Sequence, residues 1–202
     1  MSEKRAKVTF STSQSWRVMA WSMVGVLLVL PAIAMRFTDE VNWSLGDFIF
    51  AAVLLISTGL AIEVGLRLSR TGLYRSGVTV AAVTALLLVW INGAVGIIGN
   101  EDNPANLAYL GVLGSALAGT LLAKFQARGM ARALFTTACA HAAVMIAAPV
   151  LEWGPPGEPA IRTACVNAVF VMLWCLAAGL FWRADRKSTG GLPGSERPGR
   201  AD

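Results

Sequence analysis

The stretch VTVAAVTALLLVWINGAVGII, Val78 to Ile98, runs for 21 residues without an Asp, Glu, Lys or Arg. At about 1.5 Å of rise per residue a helix of that length crosses the roughly 30 Å hydrocarbon core of a bilayer. Runs of the same kind occupy Val18 to Met35, Phe48 to Leu66, Leu107 to Ala123, Ala133 to Leu151 and Ala164 to Trp182. Glu63, in the second run, is the only Asp, Glu, Lys or Arg in any of them. A membrane β-strand needs only about 10 residues with every second one polar, and none of the six runs alternates in that way. Within hydrocarbon each backbone amide has to be satisfied inside its own segment. The expected fold is therefore all-α, a six-helix transmembrane bundle. Composition agrees, since 14% of the residues are charged against about 25% in a typical soluble domain.

Three parts follow from this. Residues 16–182 form the transmembrane domain, 1–15 a polar basic N-terminal tail, and 183–202 a Gly/Ser/Pro-rich basic tail that its composition predicts to be disordered. The layout of the first run, ending in Ala32-Ile33-Ala34, resembles a signal peptide with an A-x-A cleavage site. Its 18 apolar residues exceed the roughly 7 to 15 of a signal sequence, so the run is read as a retained helix. Helix starts are marked by Ser44 three residues before Asp47, by Asn103 before Pro104 and by Glu158 before Pro159.

A net charge of +5 would suit nucleic acid, but the placement of the charge says otherwise. Lys4, Arg5, Lys7 and Arg17 precede the first run, and Arg67, Arg70 and Arg75 lie between the second and third. Lys124, Arg128 and Arg132 lie between the fourth and fifth, and Arg183, Arg186, Lys187, Arg197 and Arg200 follow the sixth. That is 15 of the 17 basic residues on one side. The other side has Arg36 and Arg162 against Asp39, Glu40, Asp47, Glu101, Asp102, Glu152 and Glu158. Positively charged loops stay in the cytoplasm, so both termini are expected inside and the acidic loops outside. The basic excess encodes topology. The partner it implies is the lipid bilayer, with no nucleic acid.

Four polar residues fall in one layer of the outer half: Asn92, Ser115, His141 and Asn167, from helices three to six. Ionisable groups in a membrane are expensive, which makes His141, the only histidine, a functional candidate. Asn, Ser and His also serve as interhelical hydrogen-bond donors and acceptors, and that reading is adopted here, with a small polar pocket as the alternative. Glu63 is four residues before Arg67, which predicts an i,i+4 pair with a snorkelling arginine. The outward pairs Asp39 and Glu40, and Glu101 and Asp102, stand beside asparagines. Oxygen-rich clusters of this kind suit a hard cation, although solvated helix caps account for them equally simply, and a metal remains undecided at this point.

Inventory removes several chemistries. No lysine lies in any of the six apolar runs to form a Schiff base, one histidine cannot supply both axial ligands of a haem, and H-E-x-x-H is absent. Cys139, Cys165 and Cys175 lie in spans without a C-x-x-C and are expected as small apolar core residues. A Ser115–His141 dyad lacks the G-x-S pattern, with Leu113 in the first position. No catalytic residue and no cofactor is assigned. Small residues at helical spacing (Gly93, Gly96 and Gly99; Gly111, Ser115 and Gly119; Ala138 and Ala142) mark close packing faces. Packing within the chain accounts for them, leaving a membrane-protein partner or a homo-oligomer as an option.

The loop motifs FTDEVNW (residues 37–43) and GIIGNEDNPAN (residues 96–106), together with Arg128-Gly129-Met130-Ala131-Arg132-Ala133, resemble a set of small uncharacterised multi-pass proteins of the bacterial inner membrane. The resemblance covers roughly residues 30–150. It implies a bacterial inner-membrane location and carries no activity with it. The expected function is a binding or accessory component with acidic outward loops. A small transporter or channel using the polar layer is the alternative, and an intramembrane enzyme ranks last.

Overall fold

The computed structural model describes residues 12–69, 71–157 and 159–189. Among these the architecture is all-helical: α1 (Thr12–Ala34), α2 (Leu45–Leu68), α3 (Gly72–Ala94), α4 (Ala108–Leu122), α5 (Ala127–Val150) and α6 (Ala160–Thr189), with one 3₁₀ turn (Pro104–Leu107) leading into α4. All six spans are long and apolar enough to cross a membrane, α4 together with its 3₁₀ turn. The chain is a multi-pass membrane protein in its architecture. It divides into two compact units, Met1–Leu60 and Ala61–Asp202.

In the first unit the start of α2 is held by a reciprocal cap. Ser44 donates its backbone N–H and its hydroxyl to Asp47 Oδ2 at 2.7 and 2.8 Å, and the Asp47 N–H reaches back to Ser44 Oγ at 3.3 Å. Trp43, just before the cap, packs edge-on against Phe48, ring centroids 5.2 Å apart. This is a hydrophobic staple across the first turn, and together the two contacts set the angle at which the chain enters the helix. Further along, the Trp21 ring of α1 lies over Gly59 of α2, where a Cβ would touch it at 3.4 Å. Val18, Met23, Val26, Val29 and Leu30 are all exposed, as side chains that face lipid need to be.

In the second unit α6 is central, packed by α5 on one side and α3 on the other, and α4 packs on α5. Short connections make α4 and α5, and α5 and α6, antiparallel. The core is filled by Phe170, Trp174 and Phe181 of α6, Leu88 of α3, Tyr109 and Val112 of α4, and Leu134 of α5. Tyr74 meets Phe181 edge-on at 4.9 Å and donates its hydroxyl to the Phe125 carbonyl at 2.7 Å, which ties the start of α3 to the α4–α5 turn. Lipid tails are as apolar as leucine, so these helices associate through close packing and hydrogen bonds rather than by escaping water. Gly65 shows how close: a Cβ there would overlap the branched Val78 side chain, 2.8 Å from Cγ2. Gly65→Ala is expected to cost about 1–3 kcal/mol of overpacking, and Val78→Ala in the same chain should recover most of it. Additive losses in that double-mutant cycle, read by thermal unfolding in detergent, would show that the two residues do not meet.

Several boundaries differ from those the sequence predicts. Helix three was expected over 78–98, yet α3 spans Gly72–Ala94. It ends early because Gly96 has φ +69 and the chain turns inward there, burying Ile97 and Ile98 without a helix. The fifth helix begins at Ala127, taking Arg128 and Arg132 into its first turns. The sixth runs to Thr189, so residues 183–189, expected to be disordered, are helical. The remaining tail residues, and Glu158 as a cap, lie outside the described residues. Cys139, Cys165 and Cys175 are exposed on the sides of α5 and α6, which corrects the expectation that they fill the core. An apolar run looks the same on every side, so the sequence has no means of telling lipid-facing from buried positions.

Candidate functional site

Asn167 organises the polar interior of the second unit. Its Nδ2 donates to the Thr163 carbonyl one turn back at 2.7 Å, which leaves Oδ1 to accept from the Tyr109 hydroxyl at 2.8 Å and from His141 Nε2 at 3.0 Å. A carboxamide oxygen cannot donate, so the imidazole carries its hydrogen on Nε2. Its ring stacks on Phe170, centroids 5.6 Å apart, and tilts against Tyr109 at 5.4 Å. Both His141 and Asn167 are fully buried. His141 Nδ1, Asn92 Oδ1 and the Trp174 indole N–H are buried without a partner among the described residues.

Of the four residues expected in one polar layer, only His141 and Asn167 bond each other. Ser115 donates to the Val112 carbonyl at 2.7 Å and to Thr137 Oγ1 at 3.3 Å. Asn92 donates to the Asn106 carbonyl at 3.1 Å. Equal depth along four helices does not set azimuth, and azimuth decides which side chains meet. Tyr109, Thr137 and Asn106 were missed by the sequence reading. A phenol inside an apolar run was the one available signal for Tyr109, since a buried hydroxyl needs a partner. His141→Gln keeps a donor toward Asn167 and is expected to cost about 0.6 kcal/mol for the altered membrane hydrogen bond plus roughly 0.5–1.5 kcal/mol for the lost ring contacts. A complete loss of folding in detergent would show that the ring contributes far more than these contacts account for.

One end of this unit carries Glu101, Asp102 and Glu152 and is called here the acidic end. Residues 95–107 form a loop braced by Asn106, whose Oδ1 accepts the Ile97 and Ile98 N–H groups at 3.3 and 3.0 Å. Its Nδ2 donates to the Ile98 and Asn100 carbonyls at 3.3 and 2.6 Å. A single side chain thus satisfies four backbone groups of a non-helical segment, the condition under which such a segment is tolerated at membrane depth. Asn103 caps the 3₁₀ turn by accepting the Ala105 N–H at 3.0 Å, and its Nδ2 donates to the Trp153 carbonyl at 2.8 Å, joining this loop to residues 151–157. The cap expected at Asn103 therefore serves the 3₁₀ turn, not α4 directly.

The loop after α5 is closed by a Schellman-type cap, with Trp153 N–H to the Ala148 carbonyl at 2.9 Å and Glu152 N–H to the Pro149 carbonyl at 3.4 Å. Glu152 takes φ +51 at the position where glycine is usual. Glu101 and Asp102 are exposed at this end, and Asp39 and Glu40 are exposed in the first unit, where Glu40 N–H bonds Thr38 Oγ1 at 3.1 Å. Among the described residues no three His, Cys, Asp or Glu side chains gather to hold a metal ion. Glu63 pairs with Arg67 across one turn of α2, at the opposite end of the second unit. Compared with family models, with curated protein sequences and with solved structures, the chain matches none.

Proposed function

We propose that the protein is a binding or accessory component of the bacterial inner membrane, with both termini in the cytoplasm and the acidic end facing outward as its working surface. The observation that carries this reading is the Asn106 brace, which holds an irregular, partly buried loop in one conformation. Rigid presentation of irregular backbone is what recognition surfaces need. The bacterial setting rests on the loop motifs at residues 37–43 and 96–106, and the orientation on the positive-inside distribution.

The interior supports a role other than transport. Most polar side chains at membrane depth bond another side chain or a backbone carbonyl, and the charged residues of α3, α5 and α6 lie at helix ends. The transporter reading draws on the three buried atoms without partners, His141 Nδ1 among them, and predicts solute flux that disappears in His141→Gln. Reporter fusions test the orientation: fusions after Arg128 and Asp185 should report cytoplasm, and those at Val41, Asn103 and Gly154 the opposite side. A C-terminus outside the cytoplasm would overturn the proposal.

A further inference from the structure

Two cavities open at the acidic end of the second unit, one on each side of Pro155. The more enclosed, about 380 Å³, is lined by Ile98, Ala148, Pro149, Glu152 and Thr163. The other, about 430 Å³, is lined by Asn100, Asp102, Asn103 and Trp153. Gly154 and Pro155 border both. Volumes of this order, roughly 300–1,000 Å³, are those of small-molecule sites.

The walls are built to keep their shape. Proline fixes its own φ, and Pro149, Pro155, Pro156 and Pro159 all line the first cavity. The Asn103 bond to the Trp153 carbonyl ties the two loops together. Gly99 lies so near Pro155 that a Cβ there would come 3.0 Å from its Cδ. A ligand entering such a site has little ordering left to impose.

The polar groups on the walls indicate what would fit. Thr163 is 8% exposed, and its hydroxyl reaches the Ile97 carbonyl only at 3.5 Å, against about 2.7–2.8 Å for a well-formed O–H···O bond. That buried hydroxyl is barely engaged and stands on the cavity wall. The charged groups lining the two cavities are Glu152 and Asp102, both acidic. Glu152 also keeps a side chain at a left-handed position that would favour glycine. Proline, isoleucine and alanine surfaces take an apolar body, and a carboxylate suits a cationic head.

We infer that the cleft formed by these two adjoining cavities binds a small amphiphilic organic cation, its apolar body against Ile98, Ala148 and Pro149 in the first and its ammonium head at Glu152 of the same cavity, with Asp102 of the second adding to the negative field. The inference rests on the reading of the acidic end as the working surface and names the ligand class of that surface.

The test uses the full chain in mild detergent, with benzyltrimethylammonium as the cationic probe and phenylacetate and benzyl alcohol as its anionic and neutral counterparts, measured by equilibrium dialysis. The cation should bind saturably, and at least tenfold more tightly than either counterpart. Glu152→Gln with Asp102→Asn should weaken it tenfold or more, while Leu117→Ala, on an exposed face of α4, should leave it unchanged. Both carboxamide changes are at exposed residues, so an unaltered melting midpoint will show that the fold is intact. No saturable binding, equal binding of phenylacetate, or equal affinity in the double carboxamide variant would each overturn the inference. If the reporter fusions still place the acidic end outside while the probe fails to bind, the ligand class is wrong and the orientation stands. A cytoplasmic acidic end would overturn the functional reading whatever the probe does.

Discussion

Gly96→Ala is expected to unfold the loop at the acidic end and to lower overall stability by roughly 2–5 kcal/mol, combining a left-handed residue's cost of about 1–2 kcal/mol with about 1–3 kcal/mol of overpacking. The residue sits at φ +69, and a Cβ there would overlap the Asn100 carbonyl and come 2.7 Å from the Glu101 N. Every atom in the way is backbone, so no side-chain rotation relieves the clash. For a chain of this length the loss corresponds to about 5–20 °C in melting midpoint. Gly111→Ala, Gly114→Ala and Gly179→Ala are the matched controls. They lie inside helices with nothing within 4 Å of an added Cβ, and alanine there should be neutral or stabilising by up to about 1 kcal/mol. A Gly96→Ala protein that melts with these controls would mean that the left-handed turn is not formed.

Asn106→Ala should be comparably damaging, at about 3–5 kcal/mol. It leaves the Ile97 and Ile98 N–H groups and the Ile98 carbonyl without the side chain that serves them, while the Asn100 carbonyl keeps the Asn103 N–H, and each buried unsatisfied group costs about 1–3 kcal/mol. Relaxation of the loop toward solvent would recover part of that. Asn92→Ala provides the comparison. It removes one bond to the Asn106 carbonyl and should cost near the 0.6 kcal/mol average of a membrane hydrogen bond, as an approximate figure. Thermal unfolding in detergent separates the two. Equal losses would remove Asn106 from its role as brace, and with it the main support for a preformed outward surface. Hydrogen exchange at Ile97 and Ile98 gives an independent reading, since their amides should be protected in the native chain and open in Asn106→Ala.

The two variants also bear on the cleft. Gly96 and Asn106 do not line it, but they hold the wall to which Ile98, Gly99 and Asn103 belong. Cation binding should therefore fall in both, in step with the loss of loop structure. The carboxamide variants of Glu152 and Asp102 should instead lose binding with the fold intact.

Six spans, the all-α class, the capping box at Ser44 and the Glu63–Arg67 pair were all legible in the chain. Each depends on residues adjacent in sequence or one helical turn apart, and on run lengths measured against a fixed bilayer thickness. Side-chain meetings between helices were not legible. Depth along a helix can be counted from its ends, but the rotation of one helix against another is set by the summed packing of whole faces. That rotation brought His141 to Asn167 and Tyr109, sent Ser115 to Thr137 and Asn92 to Asn106, and turned Cys139, Cys165 and Cys175 outward. The end of α3 was hidden for a related reason: Val95 to Ile98 are apolar enough to continue a span, and it is the carboxamide of Asn106, eight residues beyond Ile98, that satisfies the Ile97 and Ile98 N–H groups where the chain leaves the helix. Local physics thus determined how many helices there are and where α2 caps. The tertiary structure alone decided which polar groups are spent on one another and which are left at the acidic end, because that depends on contacts between residues far apart in the chain.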